Sequence, residues 1–268
     1  MEHISILGCG WLGLPLAEHL IQKGFSIKGS TTSPNRIGEL ESKEIEAFII
    51  ELSADEISGD YEAFLQNSKT LIIDIPPKLR GENPESFVGK MKTFIQKAVL
   101  NSSIEKVLFI SSTSVYGDEP INVTEETIEK PETLSGKELL ETEHLLHQQT
   151  AFKTTILRFG GLIGGSRNPA KSLSGKSNIA TPNAPINLIH QDDCIGIITA
   201  IIVQNFWGEK INASAPFHPT RKEYYMAKAK ELGLPLPEFE ENKASGKVID
   251  SSKLISKLNY NFIHVEDI

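Results

Sequence analysis

Apolar positions along the chain alternate between two rhythms. Ile4, Ile6 and Leu7 make a short strand-like run, after which Leu12, Leu16 and Leu20, with Ala17 and Ile21 beside them, recur at helical spacing until Gly24. Pro15 is compatible with that helix because it lies in the first turn, where backbone N–H groups have no intrahelical acceptor. Phe25 to Gly29 reads as a second strand, and Ser33-Pro34, a cap followed by a proline at the first helical position, opens a short helix through Leu40. Ala47 to Ile50 and Thr70 to Ile75 are a third and a fourth strand. Asn83-Pro84 repeats the cap-and-proline signal before a helix whose Phe87, Met91, Phe94, Ile95 and Ala98 share one face. Lys106 to Ile110 is almost wholly apolar, as a strand buried on both faces must be. A helix from Ser135 to Gln149, carrying Leu139, Leu140, Glu143 and Leu146, precedes a sixth strand at Thr154 to Leu157.

Beyond Phe159 the rhythm loosens. Gly160 to Pro185 is rich in Gly, Ser, Asn, Pro and Lys with little apolar periodicity, which suits a functional loop more than filler. Asp192 to Val203 is an apolar helix for which Asp192 or Asp193 would serve as N-cap, and Lys210 to Ala213 is a short strand. Thr220-Arg-Lys-Glu223 matches a capping box and starts a helix through Leu232, and Gly246 to Leu258 adds one strand and one helix. There is no internal repeat and no low-complexity tract.

The first turn carries the strongest chemical signal. Gly8, Gly10 and Gly13 spell G-x-G-x-x-G between an apolar strand and a helix, the context in which that spacing binds a dinucleotide. The first glycine permits a tight turn, the second lets a pyrophosphate approach the backbone, and the third lets helix and strand pack closely; the amides around Trp11 and Leu12 then face the phosphates at a helix N-terminus. With the regular alternation of strands and helices, this predicts an α/β fold, a Rossmann-type doubly wound parallel sheet with a small C-terminal substrate lobe. Residues 1–160 would form the dinucleotide-binding core, and residues 161–268 a mixed region that adds the lobe and returns elements to the core.

Composition narrows the partners. At 39% hydrophobic and 23% charged the chain is ordinary for a soluble globular protein, and a net charge of −8 argues against nucleic acid or an anionic membrane surface. No basic stretch leads into an apolar leader and no apolar run reaches spanning length, so the expected location is the cytoplasm. Cys9 and Cys194 are far apart and have no metal-ligand spacing, which leaves Cys9 as a small residue packed inside the glycine loop. His190-Gln-Asp192-Asp193 is better explained as a helix start than as metal ligands, so no metal is expected.

The segment after the second strand bears on the cofactor. Lys28 to Arg36 contains no carboxylate to take a ribose 2′-OH, whereas Ser30, Thr31, Thr32 and Arg36 offer hydroxyls and a guanidinium to a 2′-phosphate. The expectation is NADP, with NAD as the alternative; these same residues also suit the mere capping of the helix at Pro34.

Ser111-Ser-Thr-Ser-Val-Tyr-Gly117 directly after the fifth strand, with Arg158-Phe-Gly-Gly-Leu-Ile-Gly164 and Asn187-Leu-Ile-His-Gln-Asp-Asp193, resembles the extended short-chain dehydrogenase/reductase family, which includes nucleotide-sugar epimerases and dehydratases. Gly8 to Leu16, Asp74-Ile-Pro-Pro77 and Ala215 to Arg221 are similar to an atypical subgroup described as NAD-dependent epimerase/dehydratase-like. The resemblance implies Pro76 beside the cofactor, Ser112 at the position of a catalytic hydroxyl, the Tyr116 ring packed near the substrate, and Ser114, Arg167, His218 and Arg221 toward a small polar or sugar-nucleotide substrate; Tyr116 is also a candidate stand-in for the acid. Lys171 and Lys176 lie in the same irregular loop. It also implies a Tyr-x-x-x-Lys pair, and here the sequence departs: one alignment puts Ser135 and Leu139 at those positions, the other Thr133 and Lys137. Two functions therefore stand side by side, an NAD(P)-dependent oxidoreductase, epimerase or dehydratase, and a non-catalytic NADP-binding redox sensor. The helices at Pro84 to Leu100 and Ser135 to Gln149 correspond to the dimer-forming pair of the family, which implies a homodimer, while core packing explains their apolar residues equally well.

Overall fold

The computed structural model describes residues 2–79, 84–119, 121–241 and 246–265. Its centre is a seven-stranded parallel sheet of β1 (His3–Leu7), β2 (Ser26–Thr31), β3 (Glu46–Ile49), β4 (Ser68–Ile73), β5 (Lys106–Ser112), β6 (Lys153–Phe159) and β7 (Lys210–Ala213), ordered β7-β6-β5-β4-β1-β2-β3. The chain winds outward from β1 in one direction, then returns past it to β4 and winds the other way. The crevice between the carboxyl ends of β1 and β4 is thus the topological switch point, where ligands bind in open α/β sheets.

Helices cover both faces because the strands are apolar on both. Ile4, Ile6, Ile72, Leu108 and Leu157 pack with α1 (Gly13–Gln22) and with two helices from the second half of the chain. Leu71, Ile73, Val107 and Phe109 face the opposite layer, built from α3 (Tyr61–Leu65), α4 (Phe87–Lys97) and α5 (Leu134–His147). The short α2 (Ile37–Glu41) follows a 3-10 turn at Pro34–Arg36, and Leu40 alone anchors it in the core. The irregular segment contains the strand Gly161–Ile163, paired with Leu188–His190, and the one-turn α6 (Ala170–Leu173). α7 (Gln191–Val203) and α9 (Ser252–Leu258) return to the α1 side of the sheet, while α8 (Arg221–Glu231) belongs to a small cluster with Ile163, Ile186, Leu188, Ala215 and Tyr224.

Several local expectations are corrected. α4 opens at Phe87 behind Ser86, whose Oγ accepts the Gly89 amide at 3.1 Å; Asn83 lies outside the described residues. Ser33 makes no side-chain cap, and Pro34 begins the 3-10 turn. α7 is capped by His190, whose Nδ1 accepts the Asp192 amide at 3.2 Å, because the carboxylates of Asp192 and Asp193 are engaged elsewhere. A short antiparallel pair, Glu51–Leu52 with Ile57–Ser58, and α3 were not foreseen, their segments being too short for a periodic signal. The capping box at Thr220 and Glu223 forms as expected.

A buried charge ties the β5, β6 and β7 side of the sheet together. Ser111, Arg158 and Asn212 are register neighbours across β5, β6 and β7, and Arg158 is fully buried. Its Nε donates to Glu143 of α5 at 3.1 Å and its Nη2 to Glu143 at 2.5 Å and to Glu129 at 2.6 Å, while Nη1 donates to the Tyr116 hydroxyl at 2.6 Å. Glu143, also fully buried, accepts from Ser111 Oγ at 2.6 Å, and the Tyr116 hydroxyl donates to Asn212 Oδ1 at 2.9 Å. Burial works against the ionised form of Glu129, but Arg158 and Lys210 outweigh it and hold the carboxyl down at about 2. Removing one partner of such a pair leaves an uncompensated buried charge, so Glu143→Leu should lower stability by about 3 kcal/mol in urea unfolding. The double variant Glu143→Leu/Arg158→Met should lose less than the single one, and a larger loss would contradict this account.

Candidate cofactor and active site

The glycine loop sits at the switch point and is held by backbone contact rather than by side chains. Gly8 has φ +107°, and a Cβ there would lie 2.4 Å from the Asp74 carbonyl oxygen; on Gly13 it would lie 2.1 Å from the Gly8 carbonyl oxygen. Both positions therefore exclude side chains. Gly10 has open space where its Cβ would stand. The Gly10 amide donates to the Gly8 carbonyl at 2.8 Å and Leu14 to Gly10, but the amides of Trp11 and Leu12 have no acceptor among the described residues, and Leu12 at the N-cap receives no side-chain cap. An open glycine beside two unspent amides at the start of a ten-residue helix fits a diphosphate.

The expected cofactor residues divide between loop supports and the rim. Ser30 is buried, and its Oγ accepts the Gly8 amide at 2.9 Å, so it holds the loop instead of facing a ribose phosphate. Thr31 is likewise buried, its Oγ1 accepting the Ser33 amide at 3.1 Å. Thr32 and Pro76 are exposed. Arg36 reaches the loop, donating from Nη1 to the Cys9 carbonyl at 2.7 Å and from Nε to Glu39 at 2.9 Å. Cys9 is buried, and burial, reinforced by the Asp74 carboxyl, pushes its thiol up to about 12, which suits packing and not reactivity.

Asp74 joins the site without having been singled out on its own. It follows β4 immediately, its amide donates to the Leu7 carbonyl at 2.9 Å, and its carboxyl lies beside Gly13, where a Cβ would stand 3.2 Å from Oδ2. Burial raises this carboxyl to about 8, although the Gly13 amide and the charge of Arg167 pull the other way. A carboxyl group directly after the strand next to the glycine turn is a readable signal, because strand order alone brings those two ends together.

On the other side of the crevice, Ser112 ends β5 and Thr113–Val115 forms a 3-10 turn. Ser112 Oγ accepts the Ser114 amide at 3.1 Å, and α5 presses on this turn at Gly136, where a Cβ would lie 2.4 Å from the Ser114 carbonyl oxygen. Strand alternation sends Ser111 to Glu143 and turns Ser112 to the other face. Tyr116, expected as a stand-in acid, is corrected: it is 2% exposed and its hydroxyl is spent between Arg158 and Asn212. Burial also raises its pKa above the ordinary tyrosine value, against the pull of Arg158. At the Tyr-x-x-x-Lys positions, Ser135 is half-buried and Leu139 is part of the core. In the alternative register Thr133 is the N-cap of α5, with Oγ1 accepting the Gly136 amide at 3.0 Å, and Lys137 is exposed.

No protein-family model matches the chain. It is 33% identical over 268 residues to Protein YeeZ of Escherichia coli (strain K12), with 98% of this chain and 96% of that protein covered. The chain belongs to the YeeZ family. Among solved structures, UDP-glucuronic acid 4-epimerase from Bacillus cereus in complex with NAD superposes with a TM-score of 0.79 at 20% identity, covering 99% of this chain and 93% of that one. A protein from Methylobacillus flagellatus, proposed to be an NAD-dependent epimerase/dehydratase, gives a TM-score of 0.77 at 23% identity, with 98% and 94% covered. These two likenesses show that the YeeZ-family chain has the α/β fold of epimerase/dehydratase proteins.

The remaining expected substrate residues of this YeeZ-family chain are on the lobe side. Arg167 places its guanidinium carbon 4.5 Å over the ring of Trp11. His218 is half-buried with Nδ1 3.1 Å from the Ile186 carbonyl, and burial lowers its pKa. Arg221 reaches Thr181 Oγ1 at 3.2 Å and so braces the loop before α8. Lys171 and Lys176 are exposed. The His190-to-Asp193 run anchors the end of the described chain: Asp193, fully buried, accepts from the Tyr260 hydroxyl and the amides of Ile263 and His264, while His190 and His264 stack with ring centroids 3.8 Å apart. His190, Asp192 and His264 each offer a ligand atom within 4.8 Å of the others, although His190 Nδ1 is already spent on the cap of α7. Among the described residues no helix is long and apolar enough to cross a membrane.

Asp74 makes stability depend on pH. Its neutral form is favoured in the folded chain, so its contribution is full below the ordinary carboxyl value of 3.8 and is lost as pH rises toward about 8. Asp74→Asn should therefore gain melting temperature relative to the parent as pH goes from 5 to 8.5. A constant difference across that range would contradict the assignment.

Proposed function

We propose that this chain binds a nicotinamide dinucleotide in the crevice between β1 and β4 and works there as an oxidoreductase, epimerase or dehydratase on a small polar or sugar-nucleotide substrate. One observation carries the reading: the unspent Trp11 and Leu12 amides beside open Gly10, at the switch point of the sheet. When bound, a nicotinamide ring supplies hydride acceptance or donation, chemistry no side chain offers. The chain's own contribution is to hold the phosphates and to present Ser112 across the crevice. The Ser112 oxygen already accepts the Ser114 amide, which leaves its O–H free to donate to a substrate oxygen.

The phosphorylated dinucleotide is favoured by Arg36, whose guanidinium rests against the Cys9 carbonyl, by exposed Thr32, and by the lack of a carboxylate from Lys28 to Arg36. The NAD named with the similar Bacillus cereus epimerase supports the unphosphorylated form as the alternative. Fluorescence titration should find NADPH tighter than NADH, with the preference shrinking roughly tenfold in Arg36→Ala, about the worth of one charge-assisted contact. Equal or tighter NADH binding would leave NAD as the cofactor.

A second reading is a redox sensor without turnover, favoured by Tyr116 being locked to Arg158 and by Leu139 in the core. The two separate on one assay. NADPH oxidation with a panel of carbonyl and sugar-nucleotide substrates, reduced at least a hundredfold in Ser112→Ala while cofactor affinity is kept, supports the enzyme. Tight binding with no oxidation on any substrate supports the sensor.

A further inference from the structure

The strand Gly161–Ile163 delivers a tight reversal in which the Gly164 amide donates to the Arg167 carbonyl at 3.1 Å and the Arg167 amide to the Gly164 carbonyl at 3.0 Å. Gly164 and Gly165 take φ of +97° and +55°, values that side chains rarely adopt. The reversal is packed against the glycine loop. A Cβ on Gly165 would lie 2.9 Å from Gln191 Oε1 and 3.5 Å from Trp11 Nε1, and Gln191 Nε2 donates to the Trp11 carbonyl at 2.5 Å. Arg167 is thereby fixed at its backbone while its side chain lies along the Trp11 ring, 4.5 Å from its centre. Among the described residues the guanidinium has no hydrogen-bond acceptor and no ion-pair partner, in contrast to Arg36, whose Nε and Nη1 donate to protein atoms, and to Arg158, which is bonded through all three of its nitrogens. Its charge also acts on the Asp74 carboxyl at the loop and on the buried Cys194 thiol of α7.

We propose that Arg167 is a diphosphate clamp: a guanidinium carried by the lobe, stacked on Trp11 of the glycine loop, that closes over the pyrophosphate of the dinucleotide held by the Trp11 and Leu12 amides. This rests on the dinucleotide reading above. The loop supplies neutral N–H donors from one side, and Arg167 supplies the positive charge that a chain of net charge −8 otherwise lacks there. A planar fork suits two phosphate oxygens at once, and the aromatic ring keeps it extended before the ligand arrives. The clamp also links binding to the lobe, because the hairpin that carries Arg167 is continuous with the strand pair Gly161–Ile163 and Leu188–His190.

The test uses the full chain with Arg167→Met, which keeps the apolar stack on Trp11 without the charge, and Arg167→Lys, which keeps charge without the fork. NADPH, NADH, ADP, UDP and adenosine serve as probes in direct and competition titrations. The expected result is a tenfold to hundredfold loss for the dinucleotides and ADP in Arg167→Met, a smaller loss in Arg167→Lys, and unchanged adenosine binding. Unchanged ADP affinity in Arg167→Met overturns the clamp while leaving the dinucleotide reading intact. Loss confined to UDP overturns it too, by assigning Arg167 to a nucleotide substrate instead of the cofactor. If the parent chain binds neither NADPH nor NADH, both readings fall.

Discussion

Two chain segments approach each other closely at the carboxyl ends of β1 and β4, and the site is built around that contact. Gly8 and Gly13 carry no side chain because the Asp74 and Gly8 carbonyl oxygens occupy the space that a Cβ would need. That contact sets the angle at which α1 leaves the sheet, and with it the direction of the free amides at its start. It also brings Asp74 to the Gly13 amide, where burial keeps the carboxyl protonated far above its ordinary value. A neutral carboxyl beside the loop spares an anionic ligand a repulsion that an ionised one would impose.

The other half of the crevice is organised by a buried guanidinium. Arg158 collects Glu143, Glu129 and Tyr116 and so fixes where β5, β6 and α5 meet. The same network also engages Tyr116. Its ring lies under the Arg158 guanidinium, 4.9 Å from ring centre to guanidinium carbon, and its hydroxyl is saturated. What the crevice retains on this side is the Ser112 hydroxyl at the strand end, with its geometry set by Ser114 and by the pressure of α5 at Gly136.

Two arginines near the glycine loop illustrate how environment divides similar residues. Arg36 is bonded to the Cys9 carbonyl and to Glu39, so much of its donor capacity serves the loop and α2. Arg167 comes from a hairpin more than 130 residues later, and among the described residues its donors have no acceptor. Position after the second strand ties Arg36 to the glycine loop, but nothing along the chain ties Arg167 to it. The stack on Trp11 does that for Arg167, since it holds a flexible side chain in one place at little further entropic cost.

The sheet and its cradle are legible along the chain. Apolar runs of strand length, the Leu12, Leu16 and Leu20 spacing, and the glycine motif are local signals, and each is read within one or two turns of chain. The Thr220 capping box was legible for the same reason. Which polar groups are spent and which are free depends on contacts between distant segments. Ser30 and Thr31 read as phosphate ligands until β2 buried them. Asp192 and Asp193 read as caps until His190 took the cap and Asp193 took the 260–264 segment. Tyr116 read as an acid until Arg158 and Asn212 closed on it, and Asp74 and Arg167 became part of one site only when the strand order and the 164–167 hairpin placed them at the same loop. For Ser30, Tyr116 and Asp193 the physical reason is the same: hydrogen-bond capacity is allocated by neighbours 22 to 96 residues away, which no local pattern encodes.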